Sequence, residues 1–202
     1  MNELCLCYDI ARWPEAQRVA RRRGTVVLNP DNGRGSVASE ARRWDEFGKR
    51  LRGMGGVTLG YENIRTESGR RKKNETIIKA CEAWLKAGHD GIWLDCARDT
   101  EADADLVNQV ARINIAAVII ANPGTQVSGP LKRSDGWLCE SETNKAINYN
   151  TDVVIAFVKD KSAAKKARET AASLGVRWLA VEPLSTYHVA GVEYQQPNPL
   201  TP

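Results

Sequence analysis

The chain has 202 residues, of which 42% are apolar and 27% charged, with a formal net charge of +4 at neutral pH. That length supports one substantial core and is short for two comfortable domains, and the balance is ordinary for a globular protein. It also excludes a spanning helix, because no apolar run approaches the roughly 20 residues that a bilayer requires, and no membrane association is expected.

The opening stretch MNELCLCYDIARW lacks a basic segment leading into a long apolar one, so no secretory signal is read. Synthesis in the cytoplasm is expected, with a virion or non-classical export as the routes outward. The five cysteines have no metal-type spacing and read as free thiols in a reducing compartment, and two histidines are too few for a histidine-rich metal site. Neither a metal nor an organic cofactor is implied. Residues 1–73 hold 16 Lys/Arg against 9 Asp/Glu, whereas residues 74–202 hold 13 against 16. The basic half includes Arg21-Arg22-Arg23 and Arg70-Arg71-Lys72-Lys73, runs that can attract phosphate backbones. Both fall at helix ends or in loops with few interleaved aromatics, so they read as solvated residues, and a nucleic-acid partner is disfavoured.

Taken in order, Leu4–Tyr8 is a short apolar strand ending in Tyr8-Asp9. Pro14 then stands near the start of a helix that reaches Arg22 and is stopped by Gly24. Thr25–Leu28 is a second strand, and the loop from Asn29 to Gly35 is dense in turn formers. Ser36 caps the next helix, which runs to about Arg52. Val57–Gly60 is a third strand ending in Tyr61-Glu62, followed by a long polar loop over 63–73. The next helix carries Ile77, Ile78, Cys81, Trp84 and Leu85 on one face.

The fourth strand, Gly91–Asp95, is a continuous apolar run ending on an acid. Such a run reads as a strand buried on both faces, and an acid at its C-terminal end is not there for packing. A helix over 101–113 follows, then a fifth strand over 116–121 ending in Asn122-Pro-Gly-Thr125. The connection 126–134 reads as loop, Gly136–Cys139 as a sixth strand ending in Glu140-Ser-Glu142, and Asp152–Val158 as a seventh. An alanine-rich helix over 162–174 is closed by Gly175, and Arg177–Val181 is the eighth strand, ending in Glu182-Pro183. The last stretch holds three further prolines and no helical period.

Eight short apolar strands alternating with helices predict an α/β fold with a parallel sheet. Eight strands also close a compact (β/α)8 TIM-type barrel, with helices missing or reduced after strands five and eight. An open doubly wound sheet would call for a glycine-rich phosphate loop after strand one, and the stretch from Tyr8 to Trp13 is not one. The barrel is assigned to residues 1–183, with a proline-rich tail over 184–202 packed on the barrel or on a partner.

In a barrel the C-terminal strand ends converge on one mouth. They bring together Tyr8, Asp9, Asn29, Tyr61, Glu62, Asp95, Asn122, Glu140, Glu142, Lys159 and Glu182. Acids, amides and tyrosines suit a polyhydroxylated ligand, and paired carboxylates are the working parts of glycoside hydrolysis. Asp95 and Glu140 are the predicted catalytic pair, on strands whose backbones stand roughly 10 Å apart. Either the retaining or the inverting separation is within reach of their side chains. Tyr8, Asp9, Asn29, Tyr61, Asn122 and Glu182 are the predicted ligand contacts. Carboxylates after strands also serve as caps, and for Glu142 and Glu182 capping or plain exposure is the competing assignment. Trp93 reads as barrel core, His89 as a residue of the face away from the mouth, and His188 as a solvated tail residue.

The stretches TVVLNPDNGRG at 25–35, TLGYENIRTESGRR at 58–71, DGIWLDC at 90–96, VIIANPGT at 118–125 and DGWLCE at 135–140 together resemble the spherulation-specific (spherulin-type) family. That resemblance implies a small β/α barrel akin to polysaccharide-cleaving glycoside hydrolases. It sets Asp95 and Glu140 at acidic positions of the family and puts Cys96 where a second acid usually follows the first. Two functions are therefore expected to compete. One is a hydrolase of a microbial, amino-sugar-rich polysaccharide. The other is a non-catalytic glycan-binding or structural barrel in a larger assembly such as a virion, with a protein partner covering the gap left by the missing last helix.

Overall fold

The structure, a computed structural model, describes residues 1–30, 33, 38–123, 128–142, 152–158 and 160–183, with backbone alone at 137–142, 157 and 183. The tail 184–202, with His188, lies outside the described residues, as does Ser36. Eight parallel strands form the sheet: β1 (Asn2–Cys7), β2 (Thr25–Leu28), β3 (Val57–Asn63), β4 (Gly91–Asp95), β5 (Val118–Asn122), β6 (Trp137–Glu142), β7 (Val153–Val158) and β8 (Trp178–Pro183). Each pairs with the next in sequence, and β8 returns to β1.

The ladder is uneven. Neighbours from β1 to β5 share four or five register pairs each, and β6–β7–β8 share four and six. The two joins between these arcs have only two register pairs apiece, Ile120↔Trp137 with Ala121↔Leu138, and Asn2↔Trp178 with Glu3↔Leu179. The sheet is thus two parallel arcs curled towards each other, and the regular eightfold β/α repeat is not reached. Among the described residues α-helices follow β1, β2, β3, β4 and β7: α1 (Trp13–Arg21), α2 (Ala38–Gly53), α3 (Asn74–Lys86), α4 (Glu101–Ile113) and α5 (Lys161–Ser173). After β5 the described part of the expected loop contains a 3-10 turn, Pro130–Arg133.

Local chemistry explains these elements. Pro14 opens α1, whose Ala16, Val19 and Ala20 face inward. Ile77, Cys81 and Trp84, spaced by four and three residues, bury one stripe of α3. Thr100 and Asp160 cap α4 and α5 by accepting from the N–H groups of Asp103 and Ala163. Among the described residues no helix is long and apolar enough to cross a membrane.

Alternation along the strands sorts two cores. Leu4, Leu6, Val27, Leu59, Trp93, Ile120, Val153 and Ile155 fill the interior. Val26, Leu28, Ile92, Leu94 and Ile119 face the helices instead, as do Val154, Ala156 and Val158 beside α5. Trp93 is core, as expected. His89 sits at the strand-start face, buried edge-on against Trp84 with Nδ1 3.2 Å from Thr58 Oγ1. Cys5, Cys7 and Cys81 are buried free thiols, and Cys96 is an exposed one.

Candidate functional site

The same alternation that fills the interior sets the polar mouth. Tyr61 and Trp93 are register partners on β3 and β4, and Trp93 pairs with Ile120 on β5. Two residues further along, Asn63, Asp95 and Asn122 form the next row on the same face. A hydrophobic floor therefore lies under a row of two amides and a carboxylate. Asp95 is engaged at both oxygens. Oδ2 accepts a short hydrogen bond from the Tyr61 hydroxyl, and Oδ1 accepts from Nδ2 of Asn122 at 2.7 Å. Burial, the Asp95 charge and this hydrogen bond hold the Tyr61 hydroxyl far above its ordinary pKa, so it stays a donor.

The Cys96 thiol stands 3.6 Å from the same Oδ2. Partial burial and the neighbouring carboxylate push it up to about 11, so it is a poor nucleophile at neutral pH. Cys96 also takes a left-handed turn, with φ 59°.

The other predicted contacts divide. Tyr8 is half-buried and packs against the interior cluster. Asn29 is 5% exposed, continues the β2 ladder through its N–H to the Cys7 carbonyl, and lies two residues beyond interior Val27. Among the described residues its Oδ1 is buried with no hydrogen-bond partner. Asp9, by contrast, is used as a cap, accepting the Arg12 N–H at 3.2 Å.

Glu182 is not exposed, and among the described residues it caps no helix. It is 4% exposed and held by Arg12 through both oxygens at 3.1 Å, while Arg12 also reaches Glu15 at 2.8 Å. Burial pushes Glu182 up to about 7, against the pull of the guanidinium. Glu140 has its backbone in β6, and its side chain is outside what is described. Its register partner is Val154, which packs against α5, whereas Ser141 pairs with interior Ile155.

Sequence reasoning missed the full length of β3 and the fold of the segment beyond it. It ended the strand at Gly60 and read 63–73 as open loop. Instead Asn63 continues the strand, and the segment folds back through a bridge between Arg65 and Arg71. Arg71 and Lys72 are half-buried and paired: Arg71 Nε donates to buried Asp103 at 2.6 Å and Lys72 Nζ to buried Glu62 at 2.9 Å. The usable signal was the period-two run of Leu59, Tyr61 and Asn63 into the register of Asp95. Among the described residues no group of three or more His, Cys, Asp or Glu is placed to hold a metal ion.

No family model and no curated protein matches the chain. Solved structures do. The glycoside hydrolase domain of PelA from Pseudomonas aeruginosa superposes with a TM-score of 0.61 at 12% identity, over 92% of this chain and 96% of that one. A putative phosphonomutase from Burkholderia cenocepacia gives 0.54 at 14% identity, over 89% and 86% of the two chains. A dextranase from Flavobacterium johnsoniae complexed with glucose gives 0.52 at 10% identity, over 89% of this chain and 35% of that one. At such identities the likeness is one of fold: a β/α barrel of the kind glycoside hydrolases use, shared with enzymes of other chemistry.

Proposed function

We propose that this protein is a glycoside hydrolase that cleaves a microbial polysaccharide rich in amino sugars, with Asp95 and Glu140 as its carboxylate pair. The observation that carries the reading is the seating of Asp95 at the mouth, above a hydrophobic floor and between two neutral donors on flanking strands. Both its oxygens already accept hydrogen bonds. That suits the member of the pair that works as base or nucleophile, and leaves proton donation to the leaving oxygen to the other acid. Tyr8, Asn29 and Asn122 supply donors and acceptors for sugar hydroxyls, and the Asn29 Oδ1, which has no partner among the described residues, fits a ligand O–H or N–H. Asp9 and Glu182 bear on the ligand through the turn and the Arg12 pair that they hold. The barrel fold and the motif resemblance to the spherulation-specific family support the same choice.

The register of β6 favours a second reading. Glu140 lies level with Val154 rather than with interior Ile155, and the family resemblance puts Cys96 where a second acid would stand. A barrel so arranged binds glycan, alone or within a larger assembly, without cutting it. Reducing-end release from a panel of microbial polysaccharides separates the two readings. The hydrolase reading expects release by the wild type, and a loss of at least about 100-fold in both Asp95→Asn and Glu140→Gln with the melting temperature held. Normal release by both variants would refute the pair. Glycan binding with no release across the panel would establish the second reading.

A further inference from the structure

The turn after Asp95 is held from outside the mouth. Cys96 has φ 59°, a left-handed conformation that a residue with a Cβ enters reluctantly. Its carbonyl accepts from Arg65 Nε at 2.9 Å, and the same guanidinium donates to Asp103 Oδ2 at 2.6 Å. Asp103 is fully buried in the first turn of α4. Its Oδ2 also accepts the Arg98 N–H at 2.8 Å, and its Oδ1 accepts from Arg71 at 2.6 Å. The carboxylate thus grips one arginine while three other links fix its own orientation: the helix, the Arg98 amide and Arg71. The neighbouring backbone is tied as well, Ile64 N–H to the Asp95 carbonyl and Ala97 N–H to the Asn122 carbonyl, each at 3.2 Å.

The geometry points to Arg65, gripped by Asp103, as a positioning residue for Asp95: by holding the Cys96 carbonyl it keeps the left-handed turn that seats the Asp95 carboxylate against Tyr61 and Asn122. The inference rests on Asp95 being the working carboxylate. Released from Arg65, Cys96 relaxes towards ordinary backbone angles, the 95–96 peptide rotates, and the thiol leaves the carboxylate. Two separate nitrogens of one rigid planar group serve the carbonyl and the carboxylate, whereas a lysine offers a single nitrogen on a flexible stem and does not hold the two acceptors in this geometry.

Cys96 itself reports the geometry without any substrate. In a Cys139→Ser background, with Cys5, Cys7 and Cys81 buried, iodoacetamide alkylation at pH 8 reads the Cys96 thiolate. Asp95→Asn removes the adjacent anion and is expected to accelerate alkylation about tenfold, one decade of thiolate fraction. Arg65→Lys and Asp103→Asn are expected to do the same with Asp95 intact. A purely stabilising ion pair would lower the melting temperature and leave the alkylation rate of folded protein alone. If Asp103→Asn does not fold, Arg65→Lys decides. Alkylation of folded Arg65→Lys within about twofold of the parent overturns the proposal, as does an unchanged rate in Asp95→Asn. Where the wild type releases reducing ends, both variants should lower kcat about tenfold and leave KM within about twofold. Silence of the wild type on every glycan counts against the hydrolase reading alone, and the alkylation rates still decide the role of Arg65.

Discussion

At the scale of single residues, two of the mouth acids, Asp95 and Glu182, are held in opposite ways. Asp95 meets neutral donors, while Glu182 is sunk beside a guanidinium and pushed up to about 7. Because Glu182 takes its proton more readily folded than unfolded, its contribution to stability is present at low pH. That contribution is lost as pH rises from about 4.5 to about 7. Arg12 stays charged throughout that window and adds no slope of its own. The effect is roughly 3 kcal/mol at most, and Glu182→Gln should flatten the fall in melting temperature between pH 5 and pH 7.5. An undiminished fall would assign the slope to other groups. Asp95 was legible because a charged side chain closing a strand-length apolar run gains nothing from packing. The fate of Glu182 was not, because its partner Arg12 is 170 residues away in sequence and charge pairing at that distance leaves no local pattern.

At the scale of elements, apolar runs placed the strand starts to within two residues, and Gly91–Asp95 matches its expected bounds. What lay beyond reach was packing between layers. Gly60, read only as the end of a strand, is where the Trp84 indole of α3 lies against β3, and a Cβ there would run into the ring. The indole Nε1 also donates to the Tyr61 carbonyl at 3.1 Å, so α3 and the strand carrying Tyr61 are locked together. Gly60→Ala should therefore cost about 1–3 kcal/mol by overpacking, measured by denaturant unfolding, and a cost near zero would mean that α3 shifts freely. The fold-back over 63–73 escaped sequence reading for a related reason. Its arginines look like a solvated run until buried Asp103, over 30 positions later, is brought beneath them.

For the molecule as a whole, the strand count and parallel order followed from the alternation of apolar runs and helical periods. The uneven ladder did not, since register pairs at a join depend on where two arcs meet in space. Two joins of two register pairs each should be the places where the sheet opens first. Amide hydrogen exchange is expected to be faster at Asn2, Glu3, Trp137 and Leu138 than in the centres of β3 and β4. Uniform protection around the sheet would show that the joins are as firm as the ladders.

The β5–β6 join is braced from outside the sheet. Asp99 accepts the N–H groups of Ser128, Gly129 and Leu131 at 2.9, 2.6 and 3.0 Å, and Asn108 of α4 accepts that of Asp135 at 2.7 Å. Against the cost of desolvation, those donors hold the Asp99 carboxyl below its usual range. Where β6 begins is thus decided as much by the rim of α4 as by strand pairing. Since faces alternate with every residue along a strand, a slip of one position would exchange the register places of Glu140 and Ser141. The ledge formed by Asp99 and Asn108 therefore acts as the ruler that sets which of these two residues is level with the barrel interior.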